Sequence, residues 1–97
     1  MVKHIILWKL KESLTDDEKS LARAEAKRRL EALNGKIDGM INLTVVTDRL
    51  PSSNADMMLD STFESEEALA GYQINPLHVE AATFVRSVVE ARLSLDF

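Results

Sequence analysis

The sequence predicts an α+β fold: one four-stranded antiparallel sheet with its helices on a single face. Three observations carry this. Segments with two-residue apolar alternation are interleaved with segments of helical period, in the order β-α-β-β-α-β. The 97-residue chain has room for one domain, spanning 1–97. Its composition, 45% hydrophobic and 29% charged, is that of a packed chain rather than a disordered one.

Residues 2–10, VKHIILWKL, are rich in β-branched and aromatic side chains and form the first strand. Val2, His4, Ile6, Trp8 and Leu10 share one face; Lys3, Ile5, Leu7 and Lys9 share the other. A helix is expected over 14–35. Thr15 and Glu18 have capping-box spacing, and Asp16 and Asp17 place negative charge in the first turn. Ala22, Ala26, Leu30 and Leu33 recur at helical spacing, with Leu21 and Ile37 near the ends of the stripe. Gly35 is the expected stop after Asn34.

Residues 40–49, MINLTVVTDR, alternate as a second strand, with Ile41, Leu43 and Val45 on one face. LPSSNAD is a loop by its turn-forming residues. Residues 57–63 form a third strand, with Met57, Leu59, Ser61 and Phe63 on one face and Asp60 opposite. Ser65 caps a second helix whose first turn carries Glu66 and Glu67. Pro76 breaks it, because proline lacks an N–H and disfavours helix at Asn75. A new helical run starts at Pro76 and continues to Ala91, with Val79, Phe84, Val85 and Val88 as its apolar surface. Residues 92–97 alternate as a terminal strand: Leu93, Leu95 and Phe97 lie opposite Arg92, Ser94 and Asp96. This element order is the ferredoxin-like plan.

Charge and composition narrow the function. A net charge of −4 disfavours nucleic acid and anionic membrane surfaces, which reward clustered Lys and Arg. The absence of cysteine excludes disulfides, zinc–thiolate sites and a cysteine nucleophile, and suits a cytoplasmic location. Lys3, Lys9 and Lys11 interrupt the apolar N-terminus, and no cleavage-type site follows, so no signal peptide is expected. No run approaches the roughly 20 apolar residues that span a bilayer. His4 and His78 lack metal-ligand spacing, and no glycine-rich phosphate loop is present. No cofactor is implied.

Two helices cover one face of a sheet. The first strand is apolar on both faces, since Ile5 and Leu7 oppose Ile6 and Trp8. A sheet with one wet face shows cleaner alternation. The expected remedy is a homodimer, sheet against sheet, with two-fold symmetry.

VKHIILWKLKE at the start, STFES after the third strand, YQINPLH at the helix break and the closing LDF resemble the stress-responsive A/B barrel (Dabb) family, in order and over essentially the whole chain. The resemblance implies a dimeric α/β barrel built from two ferredoxin-like protomers. Many family members have no assigned activity, and some plant members are stable, stress-induced proteins. One plant member is a polyketide cyclase that closes a linear poly-β-keto thioester. Its first-strand histidine, pocket tyrosine and catalytic histidine match His4, Tyr72 and His78. Its further histidine in the third strand is Met57 here, and its first-helix aromatics are replaced by Leu21, Ala22 and their neighbours.

The chemistry of the helix break agrees with that match. His78 falls in the first turn after Pro76, where the helix dipole disfavours an added proton and favours neutral imidazole, a form able to act as a base. Tyr72 would orient it or hydrogen-bond a ligand oxygen, and His4 would point to the same space if its face lies under the helices. The principal reading is a homodimeric small-molecule-binding or stress-associated protein, with a small apolar or phenolic ligand. The alternatives are a cofactor-free cyclase with His78 as general base, assisted by Tyr72 and His4, and a cofactor-free monooxygenase of the wider barrel superfamily.

Overall fold

The computed structural model describes residues 1–97. The elements are β1 (Val2–Leu10), α1 (Asp16–Glu31), β2 (Met40–Val46), β3 (Met57–Phe63), α2 (Glu66–Ile74), α3 (Pro76–Val88) and β4 (Val89–Asp96). The strands form one sheet in the order β2-β3-β1-β4, and every neighbouring pair is antiparallel. This is the expected α+β, ferredoxin-like arrangement, with the second helix divided in two at Pro76.

The core lies between the sheet and the helices. Ile6, Trp8 and Leu10 of β1, Leu43 and Val45 of β2, and Met57, Leu59 and Phe63 of β3 meet Ala22, Ala26 and Leu30 of α1, with Leu69, Tyr72, Ala81 and Val85 from α2 and α3. Strand alternation therefore sorts the sheet as the sequence predicts, and β3 is buried at every second position. His4 and Ser61 are buried on the same face, and Ser61 Oγ donates to the His4 carbonyl at 2.8 Å.

Thr15 caps α1 with both halves of the capping box formed. The helix ends at Glu31, not at residue 35. Leu33 and Asn34 donate back only three residues, to Leu30 and Glu31. The Asn34 amide then donates to the Leu43 carbonyl at 2.8 Å while its oxygen accepts from Leu43 N–H at 2.9 Å, which draws the chain off the helix toward β2. Gly35 adopts φ +79° in the turn that follows. Leu21 lies outside the buried stripe and is 70% exposed.

Two further expectations are corrected. In β2, Ile41 does not share the face of Leu43 and Val45. Met40 pairs with Phe63 and Asn42 with Thr62, so the irregularity between them leaves Ile41 exposed. The strand also stops at Val46 rather than residue 49. At the other end of the chain, α3 stops at Val88 and β4 begins at Val89, which pairs with Leu10. β1 extends far enough to recruit these residues, and Glu90 is accommodated at a register shift between Lys9 and Leu10. Val79 is exposed; Ala81 and Val85 carry the buried face of α3 instead. No helix is long and apolar enough to cross a membrane.

Candidate functional site

α2 and α3 meet at Asn75, which closes one helix and opens the other. Its N–H donates to the Tyr72 carbonyl at 3.2 Å, and its side-chain oxygen accepts from Leu77 N–H at 2.9 Å. Pro76 occupies the first turn of α3, where its missing N–H costs nothing. The corner places Tyr72, from the last turns of α2, against His78, from the first turn of α3. Their rings lie 4.1 Å apart between centroids, inclined at 41°.

β1 brings the third residue. His4 faces the helices and is 2% exposed. Its ring lies 6.3 Å from that of Tyr72 in an edge-on arrangement, and Phe63 packs against both. The structure therefore brings His4, Tyr72 and His78 to one place. All three line a cavity of about 170 Å³ whose apolar wall includes Ile6, Trp8, Leu59 and Val85.

Hydrogen bonding defines the histidines. His4 Nδ1 donates to the Asp96 carboxylate, leaving Nε2 as the free ring nitrogen. His78 Nδ1 lies 3.3 Å from the Gln73 carbonyl. A carbonyl only accepts, so Nδ1 carries the hydrogen and Nε2 carries the lone pair. Burial lowers the pKa of His78 below its ordinary 6.5; the Gln73 carbonyl opposes this, and the charges of His4, Arg86 and Arg92 add to the lowering. Burial raises the pKa of Tyr72, against a smaller opposing effect of Arg92, so the phenol is a hydrogen-bond donor at neutral pH. No fully enclosed side-chain N or O lacks a partner. The Tyr72 hydroxyl has no partner within the protein and is thus an atom with access to the cavity.

Sequence reasoning missed Asp96, Gln73, Arg86 and Arg92. Arg86 was legible, because His78, Ala82 and Arg86 recur every four residues on one face of α3. Asp96 and Arg92 depend on the β1–β4 register, which pairs His4 with Asp96 and Trp8 with Arg92. Met57 is a buried core residue opposite Trp8. No group of three or more His, Asp or Glu is placed to hold a metal ion.

The model of the stress responsive A/B barrel domain matches residues 2–97. No curated protein matches the chain. Among solved structures, the chain is similar to a dimeric protein of unknown function with a ferredoxin-like fold from Bacteroides fragilis. The identity is 29%, covering 99% of this chain and 93% of that one, with a TM-score of 0.93. A dimeric ferredoxin-like protein of unknown function from Thermobifida fusca is 22% identical, over 99% of this chain and 88% of that one, with a TM-score of 0.79. The hydroxynitrile lyase of Passiflora edulis is 20% identical, over 99% and 90% of the two chains, with a TM-score of 0.73. These last two likenesses establish the fold alone.

Proposed function

The chain belongs to the stress responsive A/B barrel domain family, and from that premise we propose that it is a homodimeric small-molecule-binding protein whose ligand occupies the cavity between His4, Tyr72 and His78. One observation carries the binding reading. Two histidines and a tyrosine, each with a polar atom that has no partner in the protein, line one largely apolar cavity of about 170 Å³. A cavity of roughly 150 Å³ accepts a benzene ring. The ligand is accordingly a single ring or a short chain, apolar or phenolic. A linear poly-β-keto thioester exceeds that volume, so the cyclase reading is not favoured, and no observation favours a monooxygenase.

The dimer reading is supported by the outward face of the sheet, where Leu7, Val46, Leu93 and Leu95 are exposed. It is supported also by the dimeric state of the Bacteroides and Thermobifida proteins.

A second reading adds proton transfer. The free Nε2 of a neutral His78 is the proton acceptor, and the Tyr72 phenol beside it donates to the ligand oxygen on which negative charge develops, with His4 on the same cavity wall. The observation favouring it is the hydrogen-bonded Nδ1, which sets the tautomer in advance.

Binding is tested by a thermal-shift panel of single-ring phenols and phenolic acids on wild type and His78→Ala. At least one compound is expected to raise the wild-type melting temperature by several degrees, with the gain lost in the variant. If no compound shifts wild type, the cavity is packing space and the binding reading fails.

A further inference from the structure

The cavity carries a charge pattern that ligand binding by His4, Tyr72 and His78 leaves unused. Arg86 of α3 and Arg92 of β4 line it, and no aspartate or glutamate does. This occurs in a chain where acids outnumber bases, 16 to 12. Neither guanidinium is paired. The ion pairs of the protein engage Lys3, His4, Lys9, Lys27, Arg28, Arg29 and Arg49. Asp96, on the same face of β4 as Arg92, is taken by His4.

The two arginines approach from different elements, and both act on the cavity's interior. Each opposes protonation of His78, and Arg92 also acts on Tyr72. Like charges beside an apolar, low-dielectric wall repel one another and focus a positive potential into the opening. An anion between them relieves the repulsion. The guanidinium fork matches a carboxylate in particular, because two parallel N–H groups meet its two oxygens.

We propose that the ligand is a small monocyclic carboxylate. Its ring fills the apolar cavity, its carboxylate sits at the mouth against Arg86 and Arg92, and a ring oxygen meets Tyr72 and His78. This rests on the binding reading above and adds the ligand's charge to it.

The test is titration calorimetry at low salt with para-hydroxybenzoate and its neutral counterpart para-hydroxybenzyl alcohol. The protein is compared as wild type and as the double variant Arg86→Gln, Arg92→Gln. Both side chains are exposed, so the double variant is expected to melt with the wild type. The carboxylate is expected to bind wild type at least about tenfold more tightly than the alcohol, a preference that weakens with salt and disappears in the double variant. Equal binding of the two compounds overturns the anion inference and leaves a site for neutral ligands; a preference that survives in the double variant overturns the assignment of the carboxylate to Arg86 and Arg92. Binding of neither compound to wild type overturns both the inference and the binding reading beneath it.

Discussion

His4 and His78 occupy one cavity but are held in different ways. His4 is held by a carboxylate on the neighbouring strand at Nδ1 and by Ser61 at its main-chain carbonyl, which leaves Nε2 as its one ring nitrogen without a partner in the protein. His78 is held only by a main-chain carbonyl, in a helix first turn whose dipole opposes protonation. Its lowered pKa has a consequence for stability. Between the folded pKa and the ordinary 6.5, the unfolded chain binds more protons at this residue than the folded chain does. The contribution is therefore fully present above 6.5 and is lost as pH falls from there through the folded value. Wild type is expected to lose more stability on acidification from neutral pH than His78→Gln, measured by urea unfolding across that window. Parallel curves would show that His78 is not kept neutral by the fold, and would remove the basis of the proton-acceptor reading.

α1 does more than cover the sheet. β2 is an edge strand, and an unpaired edge invites association with other chains. Side chains of α1 and the turn after it close that edge. Glu31 accepts from Val45 N–H at 2.9 Å, Lys27 donates to the Val45 carbonyl at 2.7 Å, and Asn34 engages both main-chain groups of Leu43. The entry to β2 is equally constrained. Gly39 has φ +78°, its carbonyl accepts from Glu64 N–H at 2.8 Å, and an added Cβ would lie 2.5 Å from Ala68 Cβ. Gly35 has nearly the same φ but open space around it. Gly35→Ala is expected to cost about 1–2 kcal/mol for the left-handed conformation alone. Gly39→Ala is expected to cost more, because α2 must also move. Equal losses in chemical denaturation would mean that α2 gives way freely at that contact.

The whole molecule has one covered sheet face and one bare one. On the bare face, Ile5 pairs with Leu95 and Leu7 with Leu93, so the apolar residues of the central and terminal strands form one band. The Lys3–Asp60 ion pair, which also draws on Thr62, interrupts it toward β3. This band is the surface that the proposed homodimer would use. A double substitution, Leu93→Lys with Leu95→Lys, is expected to convert a dimer into a species of 10.9 kDa in light scattering after size exclusion, with little change in secondary structure. A dimer that survives the two charges would place the interface elsewhere.

Local patterns in the sequence were enough for the element types, the β-α-β-β-α-β order, the capping box at Thr15, the break at Pro76 and the placing of His4, Ile6, Trp8 and Leu10 on one shared strand face, though not for which face lies under the helices. Each of these follows from spacing within a few residues of chain. The proximity of Tyr72 and His78 was legible for the same reason, since one helix corner carries both. Where elements end was less legible: Asn34 leaves α1 because Leu43 binds it, and Val89 leaves α3 because Leu10 pairs with it. The remainder of the site was settled by strand register. Alternation places Arg92 and Asp96 on one face, but a shift of one residue against β1 would turn them to the other side of the sheet. Only the folded sheet brings Asp96 to His4 and Arg92 to the cavity, because backbone pairing between distant segments, unlike helical spacing, depends on contacts that no local stretch of chain contains.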